Sequence, residues 1–497
     1  MKRLLLILAI AATSMLASAQ DELKLPDFGS SAGGLLSPDE ERRYGEGMLR
    51  ELRSYDVVLD DPLIADYIEG LGWRLVAVSE RPEQPFTFFV VRSTEINAFA
   101  APGGYVGVNT GLITMTETED ELAAVLGHEC AHVIQRHLVR AYESMRNVSI
   151  PIALAMIGAL IAASGSSGDA AQAAIIGGQA LMQQQQINFT RHNEYEADRV
   201  GIHILAKAGY DPMAMAVTFQ RMGRALRSNG EGPPEFLRTH PVTASRITEA
   251  KNRVEAIRRN PPAVSETAAN EARFRLMRER AHVLTSTEPA KLVDTYRREL
   301  RNADAARTAS LRYGLALALL RSGQANAALG ELDVLLKDAP NDLAFQIPRA
   351  EAQRLAGDAA GALARLDALA DVAPDHRAVQ LAYADALNAT GKKANGQKAM
   401  AVLRPIVAKY GADPTTQATF ARACELAGED ARALEAHAEV ALYTGRPYDA
   451  MEQLKRLLER PGVDYYQRAR VEARVEELKP YMAELERQRI RREDQDS

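Results

Sequence analysis

Cysteine is almost missing from this chain: Cys130 and Cys424 are the only two in 497 residues. No disulfide framework can hold the fold, even in an oxidising compartment, so stability has to come from apolar cores. Cys130, Cys424 and the single tryptophan, Trp73, read as packing residues with no chemistry of their own. No basic run stands out, and the formal net charge is −6, which excludes nucleic acid as an expected partner. No apolar run approaches the ~20 residues of a helical membrane span. The strongest internal one, Ile150–Ala163, has 14 residues and ends at Gly165-Ser166-Ser167-Gly168. Histidine is scarce too, at 9, so two histidines close together carry weight.

They occur in Gly127-His128-Glu129-Cys130-Ala131-His132. A helix turns about 100° per residue, so His128 and His132, four apart, share a face and form a zinc clamp. Glu129 lies beside the first of them, where its carboxylate can take the proton of a water on the metal. Thr118-Glu119-Asp120-Glu121 reads as a capping box before helical spacing over Leu122–Leu138, placing the motif in mid-helix. Two imidazoles leave a catalytic site one protein ligand short. Glu194 is the candidate, because Asn193–Arg199 reads as a second helix on which Glu194 and Asp198 share a face. Asp198 can then accept the other ring N–H of a ligating histidine.

With both halves in view, the chain resembles the zinc endopeptidases that include HtpX and the CAAX prenyl proteases. Their pattern is His-Glu-x-x-His followed by Glu-x-x-Ala-Asp, present here at 128–132 and 194–198. The resemblance covers roughly residues 40–255. It implies a gluzincin-type α+β metalloprotease domain holding one Zn2+ per chain, with His128, His132 and Glu194 as ligands. Glu129 would be the catalytic base, Asp198 the acid behind the ligands, and Glu196 a decoy. Asn97–Gly104 and Gly111-Leu112-Ile113 look like that family's segment beside the cleft.

Lys2 and Arg3 precede the apolar Leu4–Ile10 and the small-residue end Ala17-Ser18-Ala19, a secretory signal cut after Ala19. No cysteine follows to carry lipid, so a soluble exported protein is expected. The mature chain has 58 basic and 66 acidic residues, a net of −8. Pro38–Ser54 and Leu63–Val78 read as amphipathic helices, and Phe86–Arg92 and Tyr105–Asn109 as the only convincing strands. Such a sheet offers an edge on which an extended peptide can pair, unless the hairpin is merely structural. Residues 148–182 read as a helical hairpin near the cleft, either buried in the core or touching membrane or apolar substrate. After the Ser228–Pro234 loop, His240 stands in a His-Pro pair. It can donate to an oxyanion, fill the open zinc position and keep the enzyme latent, or simply be solvated or a cap. Arg246 reads equally as an oxyanion stabiliser or a surface residue.

Composition changes near Arg259–Ala263. Beyond it Gly323, Gly357 and Gly391 recur every 34 residues, as do Pro340 and Pro374, which is the tetratricopeptide period. The third repeat carries an insertion near Lys392–Gln397. About four to five units run to roughly Gly462, an α-solenoid with a concave protein-binding surface. The expected division is 1–19 signal, 20–260 peptidase, 261–306 linker and connecting helices, 307–488 repeats and 489–497 a charged disordered tail, the whole being mainly α. This order resembles the periplasmic proteases that enhance β-barrel assembly. It implies stalled or unfolded outer-membrane proteins as substrates and the barrel assembly machinery as partner of the repeats. The rival readings are a general scavenging peptidase and a chaperone with a mainly structural zinc site. The base Glu129 argues against the last, since a structural site takes four protein ligands and needs no base.

Overall fold

The computed structural model describes residues 37–141, 190–228, 235–258 and 267–496. The expected signal peptide, the 148–182 hairpin, most of the Ser228–Pro234 loop and the composition change at 259–263 lie outside the described residues.

Helix α1 (Pro38–Ser54) starts at a complete capping box: Ser37 Oγ accepts from the Glu40 N–H, and the Glu40 carboxylate accepts from the Ser37 N–H. Helix α2 (Pro62–Val76) is capped by Asp61, whose carboxylate accepts from the Ile64 N–H at 3.1 Å. Its Ile64, Ile68, Leu71 and Leu75 are fully buried; the three-to-four spacing gives the helix one core-facing stripe. Each such side chain contributes roughly 1.5–3 kcal/mol.

The sheet is where the sequence reading needs correction. It has three strands in the order β1-β3-β2. Strand β1 (Thr87–Val91) runs parallel to β3 (Tyr105–Asn109), so the two segments read as strands do not form a hairpin with each other. The hairpin partner of β3 is β2 (Ala98–Ala101), paired antiparallel through Ala98↔Val108 and Ala101↔Tyr105. Three of its four residues are alanine, which has little strand preference, so nothing in its composition announced it. The far edge of β1 is covered by residues 57–59, with Leu59 N–H donating to Val90 O at 2.8 Å. That leaves β2 as the edge among the described residues. Trp73, read as core, is 37 % exposed and stands edge-on to Phe86 and Phe88.

After the short α3 (Thr110–Met115), helix α4 (Glu119–Ile134) carries the histidine motif through the centre of the domain. Only half of its expected capping box forms. Thr118 Oγ1 accepts from the Glu121 N–H, but the Glu121 carboxylate accepts from the N–H of Glu117, one residue early. Helix α5 (190–208) crosses α4 where two glycines meet. A Cβ on Gly201 would lie 3.2 Å from the Gly127 carbonyl, so small residues bring the two metal half-motifs together. Helices α6 (Ala214–Ser228), α7 (Glu235–Thr239) and α8 (Ala244–Arg258) close the domain.

Helix α9 (Thr267–Thr285) is no loose connector. Phe274, Met277 and Ala281 are fully buried in the same core as the peptidase residues, and Arg280 pairs with both oxygens of Asp61 at 2.7 Å. Helices α10 to α19 then pack one on the next: Pro289–Leu300, Ala305–Arg321, Ala325–Asp338, Leu343–Leu355, Ala359–Val372, Arg377–Asn388, Lys393–Lys409, Pro414–Ala427, Asp430–Tyr443 and Pro447–Glu459. Gly323, Gly357 and Gly391 sit in the turns inside three successive pairs at φ 75, 100 and 67°, a left-handed conformation that favours glycine. The expected insertion is taken up as length, since Lys393–Lys409 has 17 residues where the preceding second helices have 14. The array curves back onto the peptidase domain, with Arg377 2.6 Å from Asp66. The last helix, α20 (Tyr465–Asp496), continues through residues read as a disordered tail; arginine, glutamate and glutamine there are all good helix formers.

Candidate metal centre

Helix α4 points His128 and His132 at one spot, with their Nε2 atoms 3.0 Å apart. Glu194 from α5 meets them there, Oε2 lying 3.4 Å from His128 Nε2 and Oε1 3.4 Å from His132 Nε2. His240, just past α7, completes the group: its Nδ1 is 2.9 Å from Glu194 Oε1 and 3.4 Å from His128 Nε2. It is held there by its N–H donating to Phe236 O at 2.7 Å and by the Phe236 ring stacked on its own. Phe236 is tied in turn to the strand side, donating its N–H to Ile96 O at 3.3 Å. The four candidate ligand atoms lie within 4.8 Å of one another.

The surroundings fit a cation. Burial disfavours a charged His128, yet the Asp198 and Glu194 carboxylates beside it raise its pKa to about 9, so positive charge is favoured at this point. Both oxygens of Glu129, which is 1 % exposed, are buried without a hydrogen-bond partner, Oε1 lying 3.8 Å from His240 Nε2. Burial pushes the Glu129 carboxyl above the ordinary range, the direction a base working near neutral pH needs. An unpartnered buried carboxylate beside converging imidazoles matches a base facing a metal-held water.

Behind the cluster Asp198 Oδ1 lies 3.1 Å from His128 Nδ1. Arg246 grips the same carboxylate, Nε and Nη2 donating to its two oxygens at 2.7 Å each. Its Nη1 donates to Pro241 O at 3.0 Å and lies 2.8 Å from Glu194 Oε2. Arg246 is therefore neither of the things the sequence offered. At 2 % exposure it is no surface residue, and with its nitrogens all engaged it is no free oxyanion donor.

The sequence reading missed His137 and Arg140. His137 Nδ1 is 3.0 Å from His132 Nδ1, and its Nε2 is 3.0 Å from Glu196 Oε2, which also accepts from Arg140 Nη1 at 3.0 Å. Burial pushes the Glu196 carboxyl up, but these two partners bring it down to about 2. A third histidine within ten residues of a histidine-poor chain was the available signal. Cys130 is fully buried in the core.

A cleft of about 740 Å³ opens in front of the cluster, lined by Asn97, Phe99, Ala100, Glu129, His132, Glu194 and His240. The edge strand β2 thus forms one wall and the metal helix another.

Comparison with known proteins fits this geometry. Residues 62–254 match the model of peptidase family M48. The chain is 37 % identical to a beta-barrel assembly-enhancing protease of Yersinia pestis over 68 % of each chain. It is 34 % identical to the Escherichia coli K12 protein of the same name over 64 % of each. A mitochondrial metalloendopeptidase OMA1 of Schizosaccharomyces pombe is 34 % identical over 36 % of this chain and half of its own. With both half-motifs inside the matched span, the chain belongs to peptidase family M48 as a metallopeptidase, in the group that holds the beta-barrel assembly-enhancing proteases.

Proposed function

We propose that this protein is a periplasmic zinc endopeptidase that degrades misfolded or stalled outer-membrane proteins and assists the assembly of their β-barrels. The observation that carries the catalytic part is the unpartnered Glu129 carboxylate facing the His128, His132, Glu194 cluster. Zinc, when bound, supplies a Lewis acid that polarises the scissile carbonyl and acidifies water. His128, His132 and Glu194 would hold it, with Asp198 Oδ1, 3.1 Å from His128 Nδ1, fixing the ring of His128. Glu129 removes the proton of the attacking water and delivers it to the leaving amine. An extended substrate pairs with β2, whose backbone recognition requires no particular side chains.

Glu194→Ala is expected to weaken zinc binding beyond the about 10–100-fold that follows loss of a supporting residue, because a ligand itself is removed. Metal analysis after dialysis measures this; a full metal complement in the variant would remove Glu194 from the ligand set.

His240 Nδ1 lies inside the cluster, 2.9 Å from Glu194 Oε1, from where it would take the ligand position that water or a substrate carbonyl needs and keep the enzyme latent until substrate displaces α7. His240→Ala is therefore expected to raise basal cleavage of casein several-fold. Lowered cleavage with zinc retained would assign it to the oxyanion instead.

The outer-membrane role draws on the named relatives and on the repeat array, which we read as tetratricopeptide units. Between α1 and the array lies a cavity of about 1850 Å³ with Arg42, Glu46, Arg377, Tyr410, Tyr448 and Arg474 on its walls, mixed in charge and aromatic as a protein-binding surface is. The test is capture from an envelope extract by the full-length Glu129→Gln protein. Enrichment of outer-membrane proteins and barrel assembly components supports the reading. Capture of unfolded proteins without such enrichment favours general scavenging.

A further inference from the structure

On an unbroken helix the side chains of His132 and His137 would stand about 140° apart and could not meet. The helix is broken between them. Arg136 has φ 52°, a left-handed conformation uncommon for a residue with a Cβ, and the chain is helical again from 137 to 141, where the described segment stops. The break swings His137 back until its Nδ1 is 3.0 Å from His132 Nδ1.

We propose that Glu196, His137 and Arg140 form a relay that fixes the tautomer and orientation of His132, so that Glu196 is a positioning residue of the metal centre. This rests on the reading of His132 as a ligand. Its Nε2 faces the cluster, so the neutral ring carries its hydrogen on Nδ1. That N–H donates to Nδ1 of His137, which then carries its own hydrogen on Nε2 and donates it to Glu196 Oε2 at 3.0 Å. Arg140 holds the same oxygen at 3.0 Å. Each link has one donor and one acceptor, and reversing the chain would put a proton on a carboxylate already paired with a guanidinium. His137 and Glu196 are 3 % and 6 % exposed, so water does not compete for the links.

The construction parallels the one behind His128, where Asp198 acts directly and Arg246 clamps it. Three carboxylates on one helix thus serve one centre: Glu194 at the ligand position, Asp198 behind one histidine, and Glu196 behind the other through His137. Glu196 is no decoy.

The test is chelator competition for zinc on the full-length protein, together with the visible spectrum of the cobalt(II)-loaded form. His137→Leu is expected to weaken zinc binding about 10–100-fold and to shift the cobalt bands. His137→Asn, whose amide oxygen takes the place of Nδ1 and accepts from His132, should recover most of that loss. Glu196→Gln keeps shape and loses charge, and should weaken binding with a cobalt shift in the same direction; it carries the test if the leucine variant does not fold. Wild-type affinity and spectrum in Glu196→Gln would overturn the relay, as would an asparagine variant as impaired as leucine. His132→Ala separates the levels: if it binds zinc as tightly as the wild type, the ligand reading fails and the relay with it.

Discussion

Glutamine in place of Glu129 is expected to leave zinc bound and to lower casein cleavage by at least about 10²–10⁴-fold, the range a general base contributes. The substitution keeps the size of a side chain that is 1 % exposed, so packing around it is preserved. The proposed ligands His128, His132 and Glu194 belong to the cluster able to hold a metal, and none of them changes. What disappears is the ability to take a proton. Metal analysis beside the cleavage assay separates the two effects. Cleavage at the wild-type rate would refute the mechanism, and loss of zinc would show that Glu129 supports the site rather than the reaction.

The second large effect concerns stability. Arg246→Met should destabilise the metal-free protein by about 3–5 kcal/mol, the usual result of leaving a buried charge uncompensated. Arg246 is 2 % exposed and Asp198 and Glu194 are 5 % and 4 % exposed, so water cannot replace the guanidinium. Asp198 would lose two hydrogen bonds of 2.7 Å, and Glu194 a cation at 2.8 Å. At roughly 2–4 °C per kcal/mol for a domain of this size, melting in the presence of chelator should fall by roughly 10 °C. Adding Asp198→Asn should recover part of the loss, because the stranded carboxylate is then neutral. A fall of no more than a degree would show that the arginine is dispensable to the fold.

The ligand candidates were legible because their chemistry follows helical spacing. His128 with His132, and Glu194 with Asp198, are four residues apart, and a helix brings such pairs to one face whatever surrounds it. Glu196 was set aside as a ligand by the same rule. Two residues from either acid, it leaves α5 on another side, and only the tertiary fold reveals His137 and Arg140 waiting there. His137 was hidden by the left-handed Arg136, a backbone event that the residue type does not announce. Arg246 was ambiguous because its burial depends on how α8 meets α5. Strand β2 was missed because its pairing with β3, not its own composition, makes it a strand. The repeat period was plain in the glycines, which mark turns needing positive φ. That the array returns to Asp66 through Arg377 was not.

Helix α9 has a consequence for how this molecule can be taken apart. Its Phe274, Met277 and Ala281 belong to one apolar cluster whose members range from Leu59 to Ala378, and Arg280 reaches across to Asp61. A cut ahead of α9 would strip both fragments of their shared filling and leave raw apolar faces prone to aggregate. The first repeats are thus no detachable cassette that could be grafted onto another enzyme. The peptidase and the first repeats share one apolar cluster and are expected to melt together.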